Sequence, residues 1–69
     1  MSEAVVRRVL SALEQRETVR PGRDVLQSRV GFADGTYLVR VFVDVDREPV
    51  RIVTVYRTSK IEKYWRTNP

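Results

Sequence analysis

The apolar residues of this chain change their spacing once, and that change limits the possible folds more than any other feature. From Ser2 to Gln15 they recur at helical intervals. Val5, Val9 and Leu13 stand at i, i+4 and i+8, and Val6, Leu10 and Ala12 widen the stripe. Arg7, Arg8, Ser11, Glu14 and Gln15 occupy the other side. Beyond Thr18-Val-Arg-Pro-Gly22 the period becomes two. Residues 24–32, 37–45 and 50–57 are runs of strand length, rich in β-branched and aromatic side chains. The pattern predicts an α+β domain over residues 1–69. A helix over 3–16 packs on a three-stranded antiparallel meander, and a short helix over 59–66 closes an α-β-β-β-α order.

Local signals mark the boundaries. Ser2 is suited to cap the first helix and Glu3 complements its dipole. Pro21 disfavours helix at Arg20, and Pro-Gly is a turn pair. Asp34-Gly35 signals a tight hairpin, and residues 46–49 connect the next two strands. Ser59 and Glu62 have capping-box spacing, while Ile61, Tyr64 and Trp65 form an i, i+3, i+4 face. Thr67-Asn68-Pro69 is expected to be a frayed end.

These turns imply a register. Phe32 falls opposite Tyr37, Val30 opposite Val39, Ser28 opposite Val41 and Leu26 opposite Val43. Across the next turn Val43 meets Ile52, Val41 meets Thr54 and Val39 meets Tyr56. One face is then almost wholly apolar and suits the helix stripe. The other carries Val25, Gln27, Arg29, Leu38, Arg40, Phe42, Asp44, Arg51, Val53, Val55 and Arg57. In this register Arg29 faces Arg40, a like-charge pair that costs stability unless an anion lies near.

Composition narrows the chemistry. A chain of 69 residues buries only roughly 60% of its unfolded surface, too little for a dinucleotide fold or a repeat array. With no Cys and no His, disulfides, Cys-based zinc sites and the usual general base are excluded. Asp44, Asp46 and Glu48 match no metal-loop spacing, so no metal and no cofactor is expected. The N-terminal stretch lacks the charge order of a signal peptide, and no uncharged run reaches the ~20 residues of a membrane span. A cytoplasmic protein without membrane contact is the expectation.

Lys and Arg number 13 against 9 Asp and Glu. Residues 1–19 are neutral, residues 20–45 carry +1 and residues 46–69 carry +3, which argues against the first helix as a groove reader. The arginines of the second sheet face, Arg29, Arg40, Arg51 and Arg57 around Phe42, suit phosphates and stacked bases of RNA, and Lys60 lies just beyond. The alternative is a protein-interaction face. On that reading Val25, Phe42, Val53 and Val55 are covered by the terminal helix, a second copy in a homodimer, or a cognate partner. Arg20 and Arg23 around Pro-Gly could clamp a phosphate, although such turns are usually plain linkers. Any catalysis would be that of a metal-independent ribonuclease, with Tyr56 and Lys60 as candidates and Arg57 and Tyr64 nearby. The register nevertheless puts Tyr56 on the helix-packed face, where an aromatic is structural.

At this junction the chain reads Val53-Thr-Val-Tyr-Arg-Thr-Ser-Lys-Ile-Glu-Lys-Tyr-Trp65, preceded by Leu38-Val-Arg-Val41. This run resembles a small bacterial and cyanobacterial domain family of unknown function, whose members look like compact RelE-type and BrnT-like toxin folds. Thr54, Tyr56, Thr58, Ser59 and Lys60 match the signature, and Arg40 matches its central-strand arginine. The resemblance spans residues 3–66 as a pattern and is specific over the C-terminal run. It implies a toxin-related domain in contact with RNA. Longer members begin with a helix bearing a His and an Arg-Met pair, and this chain has neither.

Overall fold

The computed structural model describes residues 1–67, so the end expected to fray lies partly outside the described residues, at 68 and 69. Ser2 caps α1 (Glu3–Ser11) as its sequence implies, accepting a 3.3 Å hydrogen bond at Oγ from the Val5 amide. Four strands follow: β1 (Gln15–Arg20), β2 (Arg23–Phe32), β3 (Gly35–Asp44) and β4 (Arg51–Thr58). They form one antiparallel sheet in the order β1-β2-β3-β4, and a single-turn helix α2 (Ile61–Tyr64) comes last.

The helix is shorter than 3–16, and a fourth strand takes the difference. The Ala12 amide closes the last turn of α1 onto the Arg8 carbonyl at 2.9 Å. The Glu14 amide then donates to Ser28 Oγ at 2.9 Å and to the Gln27 carbonyl at 3.2 Å, which starts the β1–β2 ladder. β1 reads Gln-Arg-Glu-Thr-Val-Arg, without apolar alternation, so hydrophobic period does not reveal it. What holds it is polar. Buried Asp24 accepts from Arg16 Nε at 2.7 Å and from Thr18 Oγ1 at 3.0 Å. Pro21-Gly22 forms the hairpin turn, with Gly22 at the positive φ of +83° that this turn needs. The Arg20–Arg23 turn is thus a β1–β2 connection.

Two register changes follow. Phe32 pairs with Gly35, so the hairpin centre is Ala33-Asp34 and not Asp34-Gly35. Among the described residues none other than glycine takes a positive φ, and Gly35 (φ +140°) absorbs the return of the chain instead. The pairing thereby slips by two positions. Side chains keep their faces but change partners: Arg29 lies opposite Leu38, and Gln27 lies opposite Arg40.

The second change reverses faces. Asp44 pairs with Arg51 and Val43 with Ile52, as the sequence implies, but Phe42 pairs with Thr54. Val53 is an extra residue, a β-bulge. Beyond it Val41 meets Val55, Arg40 meets Tyr56 and Val39 meets Arg57. One inserted residue therefore sends Val55 and Arg57 to the α1 side and Tyr56 to the other.

α1 lies across β2 and β3. Val9 from the helix and Leu26, Val30, Val39, Val41 and Val43 from the sheet make the core. Val5, Val6, Leu13, Phe32, Val45 and Val55 pack around it, so Leu13 keeps its place in the stripe after leaving the helix. Among the described residues no helix is long and apolar enough to cross a membrane.

Candidate functional site

On the face away from α1, a polar row crosses all four strands. The register sets Gln15 opposite Gln27, Gln27 opposite Arg40 and Arg40 opposite Tyr56. Gln27 Nε2 donates to Gln15 Oε1 at 2.8 Å, and Arg40 Nε donates to Gln27 Oε1 at 2.9 Å. Arg40 Nη1 donates to the Tyr56 hydroxyl at 2.8 Å. The row is continuous because each side chain offers what its neighbour lacks, a pattern that strengthens bonds in a low-dielectric setting.

The segment after β4 folds over this row. Gln27 Nε2 also donates to the Tyr64 carbonyl at 3.1 Å. Gln15 holds the next turn at both ends, donating to the Arg66 carbonyl at 2.6 Å and accepting from the Arg66 amide at 3.1 Å. Arg66 also pairs with Glu17. Val25 and Leu38, on the same face, are fully buried.

Arg40 is the centre of the arrangement. Only 8% of it is exposed, and among the described residues it has no carboxylate partner. Its guanidinium carbon lies 4.2 Å from the centre of the Tyr64 ring, 5.2 Å from Phe42 and 5.9 Å from Tyr56. Phe42 and Tyr56 stack on each other at 6.2 Å with an interplanar angle of 14°. Lys63 Nζ is 5.3 Å from the Tyr64 ring, so that ring carries two cations. Lys60 is exposed at the N-cap of α2, and its amide donates to Thr58 Oγ1 at 3.0 Å.

The other arginines expected on this face are differently placed. Arg29 is exposed and engaged by Glu14, with Nη2 at 2.9 Å and Nε at 3.3 Å from its carboxylate oxygens. The Arg29 backbone amide donates to the same carboxylate at 2.8 Å. Hydrogen bonding from Arg29 holds the Glu14 carboxyl below its ordinary pKa. The Trp65 ring lies 4.1 Å from the Arg29 guanidinium. The expected Arg29–Arg40 confrontation does not exist, because the two-residue slip separates them.

Arg57 is on the α1 side. The bulge sets it against Phe32 at 4.5 Å and Tyr37 at 4.2 Å, with Asp34 at 3.8 Å. The Tyr37 hydroxyl donates to Asp34 at 2.8 Å, and this bond raises the phenol's pKa. Arg51 is exposed on β4 opposite Asp44, but the Asp44 carboxylate accepts from Arg23 Nε at 2.8 Å.

The four apolar residues expected to form an interface are also dispersed. Val25 is buried and Phe42 is half-buried in its stack on Tyr56. Val53 is exposed in the bulge, and Val55 packs on the helix-side core. Gln15, Gln27 and Lys63 belong to the site and were not singled out from the sequence. Gln27 and Gln15 carry no pattern of their own; their meaning comes from the β1–β2 pairing.

Among the described residues no cluster of acidic side chains could hold a metal ion. In comparisons with known proteins, no family model, no curated protein and no solved structure matched the chain.

Proposed function

We propose that this chain is a small RNA-contacting domain of the RelE-like, toxin-related kind that works in the cytoplasm. The contact is centred on Arg40, Lys60 and Lys63 around Tyr64. The observation that carries the proposal is the Arg40 guanidinium, almost fully buried among aromatic rings without a carboxylate among the described residues. Burying a charge without a counter-charge is costly, and aromatic faces and neutral oxygens offset it only in part. Nε and Nη1 are engaged by Gln27 and Tyr56, which leaves Nη2 without a hydrogen-bond partner among the described residues. A phosphate oxygen is the ligand that a fixed guanidinium edge fits best. Lys60 and Lys63, both exposed, supply the further charge that draws a polyanion.

The proposal is one of contact rather than cleavage. Tyr56 uses its hydroxyl to accept from Arg40, which is a positioning role. Should cleavage occur, Tyr56 and Lys60 are the candidate proton-transferring groups, as in a metal-independent ribonuclease.

Binding of a labelled single-stranded RNA measured across salt concentrations tests the reading. The logarithm of affinity should fall with the logarithm of salt, and each cation removed should reduce that slope by about 0.7. Arg40→Met and the exposed pair Lys60→Ala/Lys63→Ala should each weaken binding. Wild type that binds RNA no better than the lysine pair variant would overturn the proposal. The double lysine variant keeps the test decisive if Arg40 is needed for folding.

A protein-interaction role remains the second reading, and one observation favours it. The exposed apolar side chains Val50, Ile52 and Val53 gather at one end of β4.

A further inference from the structure

The sheet has two outer strands, and they are treated differently. β1 is short, polar and irregular between Thr18 and Arg20, features that discourage pairing with another chain. β4 is eight residues long and pairs with β3 alone. Val50 (56% exposed), Ile52 (45%) and Val53 (41%) lie along its first half or just before it. α1 covers β2 and β3 and leaves this half of the sheet uncovered, which is why Ile52, on the helix side opposite Val43, stays exposed.

Charge within this strand has one sign. β4 reads Arg-Ile-Val-Thr-Val-Tyr-Arg-Thr, with two arginines and no acid. Its flanks are mixed, with Arg47 and Glu48 before it and Lys60 and Glu62 after it. Arg51 lies opposite Asp44, yet that carboxylate is taken by Arg23, so the guanidinium of Arg51 has no ion-pair partner among the described residues.

We infer that the free edge of β4 accepts an extended segment of a partner protein that alternates acidic and apolar residues. The added strand would pair its backbone with the outer amides and carbonyls of β4, a common mode of peptide capture. Its apolar side chains would cover Ile52 and Val53, and its carboxylates would meet Arg51 and Arg47. A second copy of this chain fits less well, because pairing β4 with itself sets a basic, acid-free strand against its own charges. The inference stands apart from RNA contact, which concerns the other side of Arg40 and the α2 turn.

The test uses the full chain, labelled with ¹⁵N, and a synthetic peptide of alternating Glu and Val as long as β4. A Lys-Val peptide is the control. The Glu-Val peptide should shift the amides of Arg51–Thr58. At about ten times its Kd it should slow exchange of the outer β4 amides about tenfold. The Lys-Val peptide should do neither, and Arg51→Glu should abolish the effect of the Glu-Val peptide while the fold is retained. Equal responses to both peptides, no response, or shifts confined to the Arg40 row would overturn the inference. Protection of the same amides that grows with protein concentration in the absence of peptide would also overturn it, naming a second copy as the occupant.

Discussion

Arg40 faces Tyr56 across the β3–β4 pair because Val53 is an extra residue in β4. Without that bulge, continuation of the Asp44–Arg51 and Val43–Ile52 register would put Tyr56 on the α1 side and Val55 beside Arg40. The 2.8 Å bond from Arg40 Nη1 to the Tyr56 hydroxyl, and the stack of Tyr56 on Phe42, both depend on this insertion. The same reversal sets Arg57 against the rings of Phe32 and Tyr37. A single residue thus builds two cation–aromatic clusters, one on each face.

Deleting Val53 should therefore be far more damaging than altering its exposed side chain. Val53→Thr leaves the bulge in place and should change stability by no more than about 0.5 kcal/mol. The deletion either reverses the faces of five β4 residues, Thr54–Thr58, or tears them from β3. A loss of about 10 °C or more in thermal midpoint, or failure to fold, is expected for the deletion alone. Circular dichroism melts of the two variants check this.

Arg40 and Tyr56 should not be equivalent in stability. Tyr56→Phe removes one hydrogen-bond partner and keeps the stack on Phe42, so a cost of about 1 kcal/mol is expected. Arg40→Ala strips the donors from both Gln27 and Tyr56 and removes the cation from three rings, for a cost of about 3 kcal/mol. Urea unfolding of both variants reads the difference. Equal costs would show that the Tyr56 bond alone accounts for what Arg40 contributes.

Acid should loosen the fold through carboxylates held by arginine. The Arg16 guanidinium keeps Asp24 below its ordinary pKa, Arg23 does the same to Asp44, and Arg29 to Glu14. Each carboxyl binds a proton more readily in the unfolded chain. Their contribution is complete above the ordinary carboxylate pKa and is lost as pH falls through the depressed folded values. Thermal midpoints should fall between about pH 5 and about pH 2. Asp24→Asn should be less stable at neutral pH, and its midpoint should vary less with acid. A variant as acid-sensitive as wild type would remove Asp24 from this account.

Trp65 is the chain's single tryptophan and reports on the cover over the row. Its ring rests on Arg29, which Glu14 holds in place. Arg29→Ala should shift Trp65 emission to longer wavelength. Unchanged emission would mean that Trp65 is held by its neighbours Tyr64 and Arg66 alone.

Strands with apolar alternation were legible from the sequence, and so were the Ser2 cap and the α1 stripe. Residue period specified those elements because a half-buried strand or helix must alternate. β1 was hidden because its side chains are satisfied by Asp24, Gln27 and Arg66 rather than by a core. Hairpin chemistry misplaced the β2–β3 centre by favouring Asp34-Gly35, whereas Gly35 serves just after the turn. Such a slip of two preserves faces, which is why the β2 and β3 share of the core was correct although the partners were not. The Val53 bulge had no local signal, since Ile-Val-Thr-Val reads as uninterrupted strand. It moved Tyr56 into the candidate site and Arg57 out of it. Arg40 and Lys60 were legible as candidates, but the Gln15–Gln27–Arg40–Tyr56 row exists only once the register is known.

The central claim is that Arg40, held by Gln27 and Tyr56, meets the RNA. The most direct measurement is the Arg40 Nε–Hε signal in a ¹H–¹⁵N spectrum, followed while single-stranded RNA is added to the full chain. The account predicts that this signal shifts together with the amides of Lys60, Lys63 and Tyr64, and that the shifts diminish as salt is raised. An Arg40 signal that stays fixed while RNA binds elsewhere, or the absence of any binding at low salt, would contradict it.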